Sequence, residues 1–256
     1  MIRDKNNIKI LTYASEKEQK NRKDFLNLFT HCPIPENELL ANLGLFLNRQ
    51  TLSRMLFMNE LYQKILPVHG SIFEFGTRWG QNVALFSSFR GIYEPYNYNR
   101  MIIGFDTFTG FPKTGIDKKD GKSAVIDKGA YATTENYDKY LEKILDYHQS
   151  ESPISHIKKY ELVKGDATKT IEKYLKEHPE TIIALAYFDF DLYAPTKKCL
   201  KTISDYLTKG SIIGFDELNL KDFPGETIAL KEVFGLSKYS IRHSHIDPNY
   251  AYLTIG

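Results

Sequence analysis

IIALAYFDFD (182–191) carries no charged side chain until Asp189 and then closes on two aspartates. A strand with one face in water alternates polar and apolar residues, whereas a strand covered on both faces reads as an unbroken apolar run. The stretch therefore reads as a strand buried inside a parallel sheet. Outward from it, SIFEFG (71–76), MIIGFD (101–106), YELVKGD (160–166) and SIIGFD (211–216) read the same way. Helices are expected between them near residues 81–89, 135–148, 169–177 and 196–206, and this alternation predicts a doubly wound α/β sheet. The tail adds two strands, KYSIRHSH (238–245) and NYAYLTIG (249–256), turning around Asp247-Pro248. So tight a connection makes the pair antiparallel, because a parallel crossover needs roughly a dozen residues.

A mostly parallel Rossmann-like sheet closed by a C-terminal antiparallel hairpin is the pattern of class I methyltransferases rather than of a plain dinucleotide-binding domain. Residues 1–68 read as a polar, mostly helical extension, and residues 69–256 as the sheet domain. Within RQTLSRMLFMNELYQKIL (49–66), Leu52, Met55, Leu56, Asn59 and Leu61 nearly follow helical spacing and predict one buried face. A chain of 256 residues, 42% of them hydrophobic, suits one large α/β domain with a modest extension. Its 34 basic and 32 acidic residues give no electrostatic reason to expect nucleic acid as a partner. No apolar stretch approaches the roughly 20 residues that cross a bilayer. The opening MIRDKNNIKILTYASEKEQK lacks a signal-peptide core, so a cytoplasmic protein without membrane insertion is expected. With Cys32 and Cys199 as the cysteines, neither a disulfide framework nor a thiolate zinc site is indicated.

Ligands of open α/β sheets lie beyond the carboxyl ends of the strands, so the candidates are sought there. The first strand runs into Glu74-Phe75-Gly76-Thr77-Arg78-Trp79-Gly80, where Gly76 permits a tight turn and Gly80 lets a helix begin close to a ligand. Arg78 stands where the dinucleotide fingerprint needs a glycine for a pyrophosphate to approach. Preceded by Glu74, the turn better suits a cationic cofactor without phosphates, such as S-adenosylmethionine; it would also serve as an ordinary strand-to-helix turn. Asp106, ending the second strand, is placed to accept the hydrogen bonds of a ribose diol, and it would equally cap a turn. Asp166, after the third strand, would reach an adenine amino group or cap the following helix. Thr77 and Thr107, beside these groups, are counted among the cofactor contacts.

The fourth and fifth strands end in Asp189-Phe190-Asp191 and Asp216-Glu217. In the class I order they are neighbours, and Asp189 and Asp191 share a face while the backbone stays extended. Four carboxylates meeting at one rim repel each other unless a cation intervenes. Oxygen-only ligands favour Mg²⁺ or Ca²⁺ over zinc; the alternative is that all four are solvated loop residues. Such an ion lowers the pKa of a bound hydroxyl and a nearby carboxylate removes its proton, which is what methylating an alcohol requires. No histidine lies at the end of a parallel strand, and His243 and His245 on the tail read as surface or substrate-contact residues.

RMLFMNELYQKIL, EFGTRWG, GFDTFTGFP, KGDATKT, YFDFDLYAPTKKCL and GSIIGFDELN together resemble the macrocin O-methyltransferase family of sugar O-methyltransferases, from about Thr51 to Gly256. The resemblance implies a Mg²⁺-dependent enzyme, assembled as a homodimer or larger homo-oligomer, that methylates a sugar hydroxyl of a nucleotide sugar, glycosylated natural product or surface glycan. It implies Asp189, Asp216 and Glu217 as metal ligands and Asp191 as general base, with Glu74, Gly76, Asp106 and Asp166 lining S-adenosylmethionine. The family shows two consecutive aspartates where this chain has Asp216-Glu217. Residues 113–132 resemble a flap over the substrate. Two other readings remain. Asp189-Phe190-Asp191 also matches the D-x-D pattern of metal-dependent glycosyltransferases, which leaves Glu74, Gly76 and Asp106 without roles. A non-catalytic scaffold of methyltransferase fold would be expected to lose the acids that are kept here.

Overall fold

The computed structural model describes residues 13–112, 115–123 and 126–256. Residues 1–12, the start of the expected helical extension, lie outside them. The chain divides into two compact units, Met1–Arg54 and Met55–Gly256. In the first, Ser15 opens α1 (Glu16–Thr30) through a reciprocal capping box with Glu18, which satisfies two otherwise orphaned backbone donors. A short α2 (Glu36–Leu39) runs on into a 3-10 turn over Leu40–Phe46. Phe46 packs against Phe25 and Phe29, with ring centroids 6.3 and 5.0 Å apart.

α3 (Arg49–Ile65) runs from the first unit into the second. Its buried face is shifted from the expected one: Leu61 is buried as expected and Met55 and Asn59 are half-buried, but Leu52 and Leu56 are exposed, while Phe57, Met58, Tyr62 and Ile65 have no accessible surface. The helix is rotated so that its aromatic residues enter the core, a choice set by what it packs against rather than by its own spacing.

The second unit is a seven-stranded sheet built from β1 (Ser71–Phe75), β2 (Ile102–Asp106), β3 (Tyr160–Lys164), β4 (Ile183–Phe188), β5 (Leu207–Phe215), β6 (Ile241–His243) and β7 (Ala251–Thr254). The strand order is β3-β2-β1-β4-β5-β7-β6. β1 to β5 pair in parallel, and β7 is antiparallel to both β5 and β6, as the tail pattern predicts. One face is covered by α3, α4 (Gln81–Tyr93) and α5 (Tyr137–Glu151), the other by α6 (Ala167–Glu177), α7 (Tyr193–Ile203) and α8 (Gly225–Val233). β4 is buried at every position. α8 had no counterpart in the sequence reading. No helix among the described residues is long and apolar enough to cross a membrane.

Register, rather than any single contact, builds the functional edge. Phe105, Phe75, Phe188 and Phe215 stand side by side across β2, β1, β4 and β5. Their rings stack in sequence at 5.1, 4.7 and 5.6 Å. Burying each such ring is worth roughly 1.5–3 kcal/mol, and a slip of one residue would turn the whole row toward the opposite face. Because each phenylalanine immediately precedes Asp106, Gly76, Asp189 or Asp216, fixing the row fixes these four positions on a common rim.

Candidate active site

The residue before each phenylalanine points to the other face, giving a second row of Gly104, Glu74, Tyr187 and Gly214. Glu74 is only 1% exposed within it. The glycines make room: a Cβ on Gly214 would stand 2.8 Å from the Tyr187 ring and 3.0 Å from Leu61. Tyr187 uses that room to donate its hydroxyl hydrogen to Asp216 Oδ1 at 2.8 Å. Strand packing on one side thus orients an acid on the rim.

At the β1 end, Gly76 (φ +95°) abuts Asp189, the residue that follows β4, and a Cβ there would collide with the Asp189 carbonyl oxygen. Gly80 (φ +76°) is closed off by Leu141, which a Cβ would meet at 2.4 Å, so its glycine serves helix packing at this point. Thr77 is buried and lies against Gly104 of β2. Asp106 accepts from the Arg78 N–H at 2.7 Å and the Phe108 N–H at 2.5 Å, so it ties the β1–α4 turn to its own. Burial pushes its pKa up, against those two bonds and the Arg78 charge. Thr107 Oγ1 donates to the Gly110 carbonyl. Asp166 caps α6, accepting from the Thr168 N–H and hydroxyl. Asp106 and Asp166 therefore have structural duties at the strand ends.

β4 stops at Phe188, and Asp191 takes a left-handed conformation (φ +59°), so the backbone turns instead of staying extended. Asp189 and Asp191 come to the same corner through this turn, not through strand alternation. Two buried acidic side chains from distant segments hold it. Glu226, on α8, accepts from the Phe190 N–H at 3.1 Å, and Asp120 accepts from the Tyr193 N–H at 2.5 Å. Neither has accessible surface. Burial, then the charges of Asp191 and Asp189, push the Glu226 pKa well above its usual range. Tyr131 faces the same corner; its hydroxyl pKa is raised by burial and then by Asp191, Glu217 and Asp189. Its ring lies 4.8 Å from the Arg78 guanidinium, which connects the β1–α4 turn to the acidic corner.

Residues 115–123 of the expected flap are pinned by Asp120, and the loop is closed at its base by backbone bonds between Phe111 and both Gly129 and Ala130. Residues 113, 114, 124 and 125 of that segment lie outside the described residues. Among the described residues no group of three or more His, Cys, Asp or Glu side chains stands ready to hold a metal ion. The donor chemistry nevertheless suits one. Asp189, Asp191 and Asp216 all act on Glu226, and Asp189, Asp191 and Glu217 on Tyr131, so an all-oxygen, strongly anionic set shares one corner.

Against known structures, the chain superposes on the calicheamicin methyltransferase CalS11 with a TM-score of 0.92 and 42% sequence identity, covering 99% of this chain and 98% of that one. An apo structure of CalS11, described as a TDP-rhamnose 3′-O-methyltransferase, matches at 41% identity over 96% of this chain and 97% of that one, with a TM-score of 0.84. The chain belongs to the sugar O-methyltransferase family. The O-methyltransferase NovP, at 17% identity and a TM-score of 0.59 over 79% of each chain, shares the fold. No protein-family model and no curated protein matches the chain.

As a S-adenosylmethionine-dependent methyltransferase, the protein has no need of the glycosyltransferase reading of Asp189-Phe190-Asp191. Sequence reasoning missed Asp120, Tyr131, Tyr187 and Glu226 in this enzyme. Tyr187 had a signal, since a tyrosine inside an otherwise aliphatic buried strand needs a partner for its hydroxyl. Asp120 and Glu226 had none, because a buried acid in a loop or short helix looks like any surface acid.

Proposed function

We propose that this methyltransferase transfers the methyl group of S-adenosylmethionine to a ring hydroxyl of a nucleotide-activated deoxysugar, with Asp191 as general base and a hard divalent cation, Mg²⁺, on Asp189, Asp216 and Glu217. The observation that carries the acceptor is the 42% identity, across almost the whole of both chains, to an enzyme that acts on TDP-rhamnose. S-Adenosylmethionine supplies an electrophilic methyl group on its sulfonium, and the cation lowers the pKa of an acceptor hydroxyl lying against it.

The chain's own groups supply the rest. Glu74, Gly76, Thr77, Asp106, Thr107 and Asp166 shape the cofactor side of the rim, with Gly80 packed against Leu141 behind it, and Glu74 sets a negative charge near a cationic ligand. Asp191 receives the hydroxyl proton as the oxygen attacks, and the Tyr187 bond holds one oxygen of Asp216 in place. In-line transfer adds little covalent work for the protein, so alignment of hydroxyl and methyl sets much of the rate. The extension over residues 1–68 is assigned to oligomer or lid contacts. Its exposed Leu26, Leu28, Leu40 and Leu45 favour assembly, and light scattering across a concentration series checks it.

The test is to incubate the enzyme with S-adenosylmethionine and TDP-rhamnose, with Mg²⁺ or with excess chelator. A methylated nucleotide sugar that forms only with the cation is the expected product. Absence of methyl transfer to any deoxysugar nucleotide refutes the acceptor class, and undiminished transfer in chelator refutes the metal.

A further inference from the structure

We propose that Asp120 and Glu226 are positioning residues for methyl transfer, clamping the turn over residues 189–193 so that Asp191 keeps its aim at the acceptor hydroxyl. The inference rests on Asp191 being the base.

A non-glycine residue in the left-handed region is strained and persists only where its surroundings over-determine it. Asp191 is such a residue, and the bonds that determine it are visible. The N–H on its amino side, at Phe190, is taken by Glu226 Oε1. The first N–H of α7, at Tyr193, is taken by Asp120 Oδ1, where Leu192 at the N-cap provides no side-chain cap. The other oxygen of Asp120 accepts from the Asp117 N–H at 2.5 Å, so the carboxylate bridges two segments more than 70 positions apart in the chain.

The turn has no room to relax away from this grip. A Cβ on Gly225 would stand 2.6 Å from the Tyr193 nitrogen, 2.7 Å from the Asp191 carbonyl oxygen and 2.8 Å from Asp120 Oδ1. α8, the 117–120 segment and the catalytic turn therefore meet at one glycine. Tyr193 is held at its other end as well. The Lys119 ammonium donates to its hydroxyl oxygen at 2.9 Å and to Glu232 at 2.6 Å, and the Tyr193 hydroxyl itself donates to Glu232 at 2.6 Å. Neighbouring residues Lys119 and Asp120 thus grip the side chain and the backbone of the same tyrosine, two positions after the base. A cap serving α7 alone would need neither the second carboxylate on Phe190 nor the closed glycine.

Steady-state kinetics on the full chain, with S-adenosylmethionine, Mg²⁺ and TDP-rhamnose, tests this alongside the calorimetric affinity for S-adenosylhomocysteine. Asp120→Ala and Glu226→Ala are each expected to lower kcat by about 10- to 100-fold, the scale of a displacement near 1 Å. Affinity for S-adenosylhomocysteine should stay within about twofold of the parent. Glu226→Gln keeps an acceptor for the Phe190 N–H and is expected to retain most of kcat. Wild-type kcat in both alanine variants, or a loss confined to KM and cofactor affinity, overturns the proposal. If the alanine variants fail to fold, Asp120→Asn and Asp120→Glu decide it. Asn keeps an oxygen on the Tyr193 N–H but turns its amide nitrogen onto the Asp117 N–H, so it should lose only a few-fold of kcat, whereas Glu displaces the oxygen from Tyr193 and should lose about tenfold; equal rates overturn the proposal. Asp191→Asn in the same assay separates the two ideas. If it turns over normally the base is misassigned, and if it is inactive while the clamp variants are unaffected the clamp alone is wrong.

Discussion

Glu226 is a carboxylic acid with no accessible surface and an acidic neighbourhood, and that combination fixes the sign of its effect on stability. Its folded pKa lies above its ordinary value of 4.5, so the native chain keeps a proton that the unfolded chain has already released. Its contribution is complete below that ordinary value and declines as pH rises from there through the raised one. A neutral amide of the same shape has no proton to lose. Glu226→Gln is therefore expected to raise the melting temperature by a few degrees at neutral pH in the presence of a chelator, with the gain vanishing in mild acid. Calorimetric scans across pH check this, and a gain independent of pH would contradict the buried-acid account. The chelator matters because a bound cation would offset the charges of Asp189 and Asp191 that help raise the pKa.

The strands illustrate what local sequence can carry and the helices what it cannot. Each of β1, β2, β4 and β5 carries a phenylalanine at its end or one residue before it, followed by glycine or aspartate, so hydrophobic run, terminus and rim were all written in a few consecutive residues. α8 was not legible because it starts at Pro224-Gly225 without a side-chain cap and spans nine residues. What stabilises it is its packing against α7, where Ala229 and Leu230 join the core, and that surface exists only after folding. α3 was legible as a helix but not in its rotation, since Phe57 and Tyr62 outcompete Leu52 and Leu56 for burial. Legibility failed at the site for the same reason: Asp120 and Glu226 acquire meaning only from the turn they hold. The paired rows on the sheet give a test. Gly214→Ala places a methyl against the Tyr187 ring and Leu61, which should cost about 1–3 kcal/mol in denaturant midpoints. It should also weaken Mg²⁺ activation by displacing the hydroxyl from Asp216. Tyr187→Phe should reproduce the second effect with little of the first. If Tyr187→Phe leaves Mg²⁺ activation untouched, the bond to Asp216 does not serve the metal.

β1 to β5 run in parallel, so all of their carboxyl ends open on one edge, and the strand order reverses between β1 and β4. Asp106 and Asp166 lie at the ends of strands on one side of that reversal and Asp189, Asp216 and Glu217 at the ends of strands on the other, and such reversals are where open α/β sheets take ligands. Two ligands can then stabilise the same fold through different halves of the sheet. A ligand present at 100 times its Kd and absent from the unfolded chain adds about 2.7 kcal/mol. For a domain of about 200 residues this corresponds to a rise of roughly 5–10 °C in melting temperature. S-Adenosylhomocysteine and Mg²⁺ should each raise the melting temperature of the wild-type protein. Asp106→Ala should abolish the first shift and spare the second, although its loss also frees the Arg78 and Phe108 N–H groups and lowers the starting point. Asp216→Ala should do the reverse. Loss of both shifts in either variant would mean that the edge behaves as one cooperative site, and the division between cofactor side and metal side would have to be abandoned.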